Sequence, residues 1–426
     1  MKKNLLPFLV FVLIISCQKK NTQNSGDGLS VTGTTTISLI RSFENKKLIN
    51  ASSFASKIEY VVLETTAETF YQQNTPSVFV PNSNQILVKS SRRISLFDRL
   101  TGKFIKDIGH FGIDPDSYQL TLPDLKPNSK QGTVYAKDQR LRLVEYDINQ
   151  GIVLRKITEP TLKDSVLVNS FLYPRTFVFF GILDNCFIAA FNPNLSGKDP
   201  VRLVLYDFKG ELIKIFNNHH FFIKKSNLIS YRQEEGQFYN FNNKLMFKES
   251  FNDTVYNITA DKMIPRYIFS LNEFSPPYSE KELLVFSNYD SYQQKRKSLG
   301  FNLPFMDKSE YMFISNLLES SKYLFFKLEF QNNEYMCYYD KEERRVKVST
   351  STKLFSGFYN DIDDFLPFKP TSINSEGELV GIVSAENVIN WFRENPIKAS
   401  SLPSHLLALQ KMKPEDNPLV MIAELK

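Results

Sequence analysis

The chain has 426 residues, with 52 Lys and Arg against 46 Asp and Glu and a formal charge of +6. The two signs are intermixed, so this small surplus argues against a nucleic-acid partner. With only three cysteines, a chain this long is expected to build its core without a disulfide framework.

Lys2 and Lys3 precede an apolar run from Leu5 to Ile15, and Ile14-Ile15-Ser16-Cys17 sets a small residue directly before a cysteine. That is the pattern of a lipobox. The run is far shorter than the ~20 residues a membrane-spanning helix needs. Residues 1–16 therefore read as a lipoprotein signal peptide, cut so that the mature chain begins at Cys17 and carries a lipid there. An ordinary secretory signal with an incidental Cys17 is the alternative. A lipid contributes roughly 0.8 kcal/mol per buried CH₂, so two or three acyl chains hold a protein stably to a membrane. Loss of Lys2 and Lys3 lowers the formal charge from +6 to +4. From Lys19 to about Thr36 the chain is polar, which makes residues 17–36 a flexible tether.

Apolar and aromatic residues then persist to the end with no second linker, so residues 37–426 read as one domain. About 390 residues exceed the usual size of a single core. A modular fold that adds units around an axis solves that problem. The units are visible as four similar segments. Ile94-Ser-Leu-Phe-Asp98 is followed by Gly102-Lys-Phe-Ile-Lys-Asp-Ile108, and Leu143-Val-Glu-Tyr-Asp147 by Gly151-Ile-Val-Leu-Arg-Lys-Ile157. Leu203-Val-Leu-Tyr-Asp207 is followed by Gly210-Glu-Leu-Ile-Lys-Ile215, and Met336-Cys-Tyr-Tyr-Asp340 by Arg345-Val-Lys-Val348. Each reads as strand, Asp-led turn and strand. The first three Asp residues are 49 and 60 positions apart, close to one four-stranded blade each. The expected fold is all-β, a propeller of four-stranded antiparallel blades with short helical insertions. Helices are expected from Ser279, where Ser-x-x-Glu has capping-box spacing, to about Lys297, over Ala385 to Glu394 and over Pro403 to Met412. The final strand, Asn417 to Leu425, is expected to pair with Thr35 to Phe43 and close the ring.

The chain resembles the six-bladed β-propeller lipoproteins of Bacteroidetes, themselves distantly similar to NHL-repeat propellers. The resemblance is carried by Ile58-Glu-Tyr-Val-Val-Leu-Glu-Thr-Thr66, Leu96-Phe-Asp-Arg99 with Gly102 to Gly109, Asn252-Asp-Thr-Val-Tyr256 and Pro265-Arg-Tyr-Ile268. Asn360-Asp-Ile-Asp363, Leu379-Val-Gly-Ile382 and Asp416-Asn-Pro-Leu-Val-Met421 complete it. It implies six blades and an outer-membrane lipoprotein. Relatives carry a loop ending Gly-Pro-Gly-Glu-Tyr where this chain has Gly112-Ile-Asp-Pro-Asp-Ser-Tyr118, so the loop is expected to be stiffer. Acidic residues after the lipidated cysteine would point to the cell surface. Gln18-Lys19-Lys20 supplies none, which favours the periplasmic face.

The search for chemistry returns no catalytic residue, no cofactor site and no metal site. His110 lies in a loop, His405 in an expected helix, and His219 and His220 would point to opposite faces of a strand. Asp361, Asp363 and Asp364 could suit a hard cation, with turn chemistry the preferred reading. Cys186 and Cys337 read as two buried free thiols, with a disulfide between them as the alternative. Trp391 reads as a packing residue, with a ligand platform as the alternative. Two functions remain. The first is a non-enzymatic binding or scaffold module for a protein or small ligand, since 20 Tyr and 37 Phe offer aromatic surface beyond core needs. The second is a metal-dependent propeller hydrolase or lyase with acidic and His side chains converging on the axis.

Overall fold

The computed structural model describes residues 33–426 except 72–75, 91, 123–124, 126, 129, 161, 163–178, 185, 195–196, 223–227, 230–234, 280–284, 287–309, 332 and 352–355. Its sheets form a six-bladed β-propeller. Blade one comprises Ser77–Asn82, Gln85–Lys89, Ile94–Asp98 and Phe104–Asp107, ordered from the axis outward. Blade two has Thr133–Lys137, Leu143–Asp147 and Val153–Ile157, and a bridge from Leu120 to Lys137 stands in for its innermost strand. Blade three comprises Phe179–Leu183, Phe187–Phe191, Val201–Tyr206 and Leu212–Asn217. Blade four is built from Gly236–Phe241, Lys244–Glu249, Thr254–Ile258 and Met263–Ser270, and blade five from Phe313–Glu319, Tyr323–Phe330, Asn333–Asp340 and Arg345–Val348. Blade six joins Pro370–Ile373, Leu379–Val383 and Leu419–Leu425 to an outermost strand from the other end of the chain, Ala55–Val62.

The four repeated segments are the outer hairpins of blades one, two, three and five. Their turns work as the Asp residues demand. Asp98 accepts the Thr101 N–H at 2.7 Å, Asp147 that of Gln150 at 2.6 Å, Asp207 that of Lys209 at 2.8 Å and Asp340 that of Glu342 at 3.0 Å. Each hairpin then needs one left-handed residue, and Gly102 takes it at φ +69°. In blade five, which lacks the glycine, Arg344 occupies that region at φ +54°.

Ring closure differs from the expectation. The last strand pairs antiparallel with Ala55–Val62, in the register Ile58↔Ala423 and Val61↔Val420. Thr35–Ser38 instead runs parallel to Met263–Ser270 as a fifth strand on blade four. The reason lies in the apolar pattern, because Ile58, Val61 and Leu63 are buried against the cores of blades six and one. The chain between them crosses blade five, where Lys47 bridges to Ser349, and reaches Asn50 paired with Tyr359. One N-terminal segment thus belts three consecutive blades before completing the ring.

Helix Ala385–Glu394 forms as expected, with the Ser384 hydroxyl accepting the Asn387 N–H. Ser404–Leu407 continues into a 3₁₀ turn over Ala408–Lys411. These elements bury Val388, Trp391, Phe392 and Leu406 against Phe54 and Phe365. Trp391 meets Phe365 edge-on at 4.7 Å, so it is a packing residue. Of the helix expected from Ser279 to about Lys297, the described residues Val285–Phe286 form instead a short strand paired antiparallel with Leu228–Ile229, and residues 280–284 and 287–297 lie outside the described residues. Both thiols are free, and Cys337 is buried, but Cys186 is exposed. The expectation of two buried thiols fails for Cys186 because it sits in the hairpin turn closed by its own N–H donating to the Leu183 carbonyl.

Candidate functional site at the axial mouth

Inner strands of neighbouring blades share no backbone ladder, so side chains join them. Asn240 Nδ2 donates to the Ile182 carbonyl at 2.9 Å, linking blade four to three. The Leu317 N–H donates to Gln237 Oε1 at 3.3 Å, linking five to four. Asn316 Nδ2 reaches the Pro370 carbonyl at 3.0 Å, and Ser372 Oγ the Val78 carbonyl at 2.8 Å, linking five to six and six to one. Lys89 Nζ donates to the Leu122 and Leu125 carbonyls, at 2.8 and 2.9 Å, at the entrance to blade two. Asn128 Nδ2 donates to Asp184 Oδ1 at 2.6 Å, joining blades two and three. Every blade interface at the axis is therefore crossed by a polar side chain.

The lysine has counterparts. The second strands of four blades share one pattern, three apolar residues followed by lysine: Ile86-Leu-Val-Lys89, Val134-Tyr-Ala-Lys137, Leu245-Met-Phe-Lys248 and Leu324-Phe-Phe-Lys327. Lys89, Lys137 and Lys248 are at most 1% exposed. Lys137 pairs with Glu159 and lies 4.5 Å over the Phe180 ring, and burial pushes its pKa down. This repeat was legible in the sequence and was missed, because attention to Asp-led turns singles out only the outer hairpins.

Above the stitches, turns between first and second strands surround a cavity of about 1090 Å³ to which all six blades contribute. Phe79, Phe180 and Phe238 supply its aromatic lining, and Asn242, Asn243, Asn374, Ser321 and Ser375 supply uncharged polar groups. Phe238 fits because Gly181 faces it, where a Cβ would lie 2.5–2.6 Å from the nearest ring atoms. Three of the lining carboxylates, Glu378, Asp184 and Glu319, are committed to partners. Arg99 grips Glu378 through two bonds of 2.8 Å. Asp184, held by Asn128, has its pKa raised by burial. Glu319 is fully buried and accepts from Arg266 at 2.6 Å, Lys341 at 2.7 Å, Tyr267 at 2.7 Å and Tyr239 at 3.0 Å.

None of the four histidines lines this cavity. His110 pairs with Asp114 at 2.5 Å, and His405 is exposed on its helix. His219 and His220 lie exposed in the loop after Leu212–Asn217 rather than within a strand. In the acidic cluster, Asp361 accepts from the Ser52 N–H at 2.9 Å, Asp363 from Tyr60 at 2.8 Å and Asn360 at 2.6 Å, and Asp364 from Tyr359. These carboxylates serve four different partners, Asn360 and Tyr359 within the local turn and Ser52 and Tyr60 from the distant N-terminal segment. Among the described residues, no group of three or more His, Cys, Asp or Glu gathers as a metal site would require. The Gly112 to Tyr118 loop is closed on itself, with Gly112 N–H donating to the Tyr118 carbonyl and Tyr118 N–H to that of His110.

Three of the motif residues that carried the resemblance, Arg99, Asn417 and Asn360, are staples. Arg99 also reaches Glu59 at 3.0 Å, so it ties blade one to two strands of blade six. Asn417, wholly buried, donates to the Glu64 and Thr69 carbonyls at 2.8 and 2.9 Å and accepts the Tyr71 N–H at 3.0 Å. Asn360 donates to Tyr60, Asp363 and the Leu366 carbonyl.

The chain is similar to a solved Bacteroides fragilis protein described as exported, at 17% identity and a TM-score of 0.60, with 92% of this chain and 100% of that one covered. That likeness speaks to fold alone. A member of the DUF4221 family from Bacteroides vulgatus is similar at 12% identity and a TM-score of 0.47, with 87% and 97% covered. No curated protein matches. The model of the family described as a domain of unknown function, DUF4934, matches residues 34–424, and the chain belongs to that family.

Proposed function

We propose that this protein is a lipid-anchored envelope lipoprotein, tethered through Cys17 to the outer membrane with its propeller on the periplasmic face. In this reading the propeller is a non-enzymatic module that binds a protein or small ligand at the axial mouth. The observation that carries the binding role is the 1090 Å³ cavity itself, roomy, aromatic within and amide-rich at the rim, which is how ligand sites on rigid scaffolds are built. Its carboxylates Glu319 and Glu378 are neutralised by cations, whereas general acid–base chemistry needs a group with an exchangeable proton within reach of substrate.

Cys186 lines the mouth and is exposed, so it offers a direct test. Pull-down from envelope extract with the full chain in detergent should recover one partner in the presence or absence of a metal chelator. A bulky maleimide on Cys186 should abolish that recovery. Chelator-sensitive turnover of small esters or lactones would overturn the reading in favour of a metal-dependent hydrolase. Metabolic labelling with an alkynyl fatty acid tests the anchor: wild type should label, and Cys17→Ala should not.

A further inference from the structure

One wall of the mouth carries positive charge that packing does not explain. Arg266 and Lys341 share a single carboxylate, Glu319. Glu319 and the Phe241 ring line the cavity, and both cations lie against that ring, Lys341 at 4.3 Å and Arg266 at 5.1 Å from its centroid. The side chains are only 24% and 19% exposed, and Glu319 is wholly buried. Two cations and one anion leave a net charge of +1 in this partly desolvated wall. Uncompensated charge of this kind is expensive, and an apolar pair of similar volume would pack there at no such cost. Arg266 Nε is also buried without a hydrogen-bond partner among the described residues. A third cation, Lys322, stands on the lining itself, with Glu342 3.8 Å away. Asp340 lies within electrostatic reach of Lys322 beside Glu342; of the acids lining the cavity elsewhere, Glu376 and Glu378 belong to the blade-six turn, where Arg99 offsets Glu378, and Glu424 to the last strand.

We infer that the mouth receives an anionic group, a carboxylate or phosphate, on the side formed by blades four and five, against Lys341 and Lys322 with Arg266 behind. This deepens the binding reading and rests on it. The anion supplies the missing counter-charge, and the guanidinium polarises the contact from the second row. Arg266 belongs to the Pro265-Arg-Tyr-Ile268 segment, which thereby acquires a role beyond strand pairing.

The test uses the full chain in detergent at constant ionic strength, titrated with inorganic phosphate and separately with acetate, and followed by thermal unfolding. Wild type should show a saturable rise in melting temperature with at least one of the two anions. Lys341→Met leaves Glu319 paired with Arg266 and two tyrosines, so it should fold and lose at least tenfold in anion affinity. If that variant does not fold, Arg266→Gln serves the same comparison, because Lys341 then balances Glu319. No saturable rise in wild type, or unchanged affinity in the variant, overturns the inference. The Cys186 adduct separates the two readings. If it blocks partner recovery while neither anion binds, the mouth remains a binding site and only the anion assignment falls. If anion binding is lost in Lys341→Met but the adduct leaves partner recovery intact, the charged wall stands and the mouth loses its partner.

Discussion

Replacing Gly102 by alanine should open the ring at its seam. Two costs combine at this position. The first is conformational, since an L side chain at φ +69° costs about 1–2 kcal/mol. The second is steric, because the new Cβ would lie 1.9 Å from the Val62 carbonyl oxygen, on the strand that closes blade six. That atom is backbone and cannot rotate away, so the blade-six strand must retreat. Retreat strains the Glu64 N–H to Gly102 carbonyl bond and the Phe104 N–H to Glu64 Oε2 bond, both 2.8 Å, each about 1 kcal/mol net. The total is about 3–4 kcal/mol. Gly377 is the control, since it has φ +85° and nothing within 4 Å of a built Cβ. Gly377→Ala should therefore show the conformational cost alone. Urea unfolding followed by fluorescence of Trp391, the single tryptophan and a member of the blade-six core, reports both. Equal midpoints for the two variants would refute the claim that Gly102 exists to let the seam close.

Gly181→Ala should drive a methyl group into Phe238 and cost about 1–3 kcal/mol, the range for overpacking; a crystal structure should show the Phe238 ring displaced into the mouth. Arg99→Ala should cost about 2–3 kcal/mol, because it strands Glu378, only 17% exposed, without its bidentate partner, and the loss should appear as a lower urea midpoint. Burial alone would raise the Glu334 pKa, but Lys327 and Lys369 outweigh it and hold the carboxyl below its ordinary value. A depressed carboxyl contributes stability above its unfolded pKa and loses it as pH falls through the folded value. Glu334→Gln should therefore lower stability at neutral and alkaline pH by an amount that disappears in acid, which flattens the acid side of a stability-against-pH curve.

Much of the architecture was legible because it rests on short-range rules. An Asp that caps its own turn, a residue that must be left-handed and an alternation of apolar positions leave marks within ten residues, so the outer hairpins of four blades could be read directly. Closure was misread because it depends on distant partners. Thr35 to Phe43 and Ile58 to Leu63 are both strand-like, and only the path across blade five decides which one completes the ring. Cys186 was misplaced for a related reason. The Phe187-Ile188 run after it reads as buried strand, but Asp184 and Asn185 before it are turn formers, and the Cys186 N–H closes a turn on the Leu183 carbonyl just ahead of that strand.

The mouth escaped the sequence for a deeper physical reason. Asn417, Asn360 and Arg99 satisfy fixed backbone or carboxylate groups across the seam, so only one residue type fits each place and a motif results. At the rim, Asn242 and Asn243 are chosen by their turn, since both have positive φ, at +49° and +56°, whereas Ser321 and Ser375 sit on turns that many polar residues could form. A recognisable motif thus reports how the wheel is closed, while its chemistry is written where the fold is indifferent. Arg266 is the exception that joins the two. It lies in a motif on the outer strand of blade four, yet its guanidinium ends at Glu319 in the wall of the mouth, so it is the residue through which the legible part of the sequence reaches the wall where we propose that an anion binds.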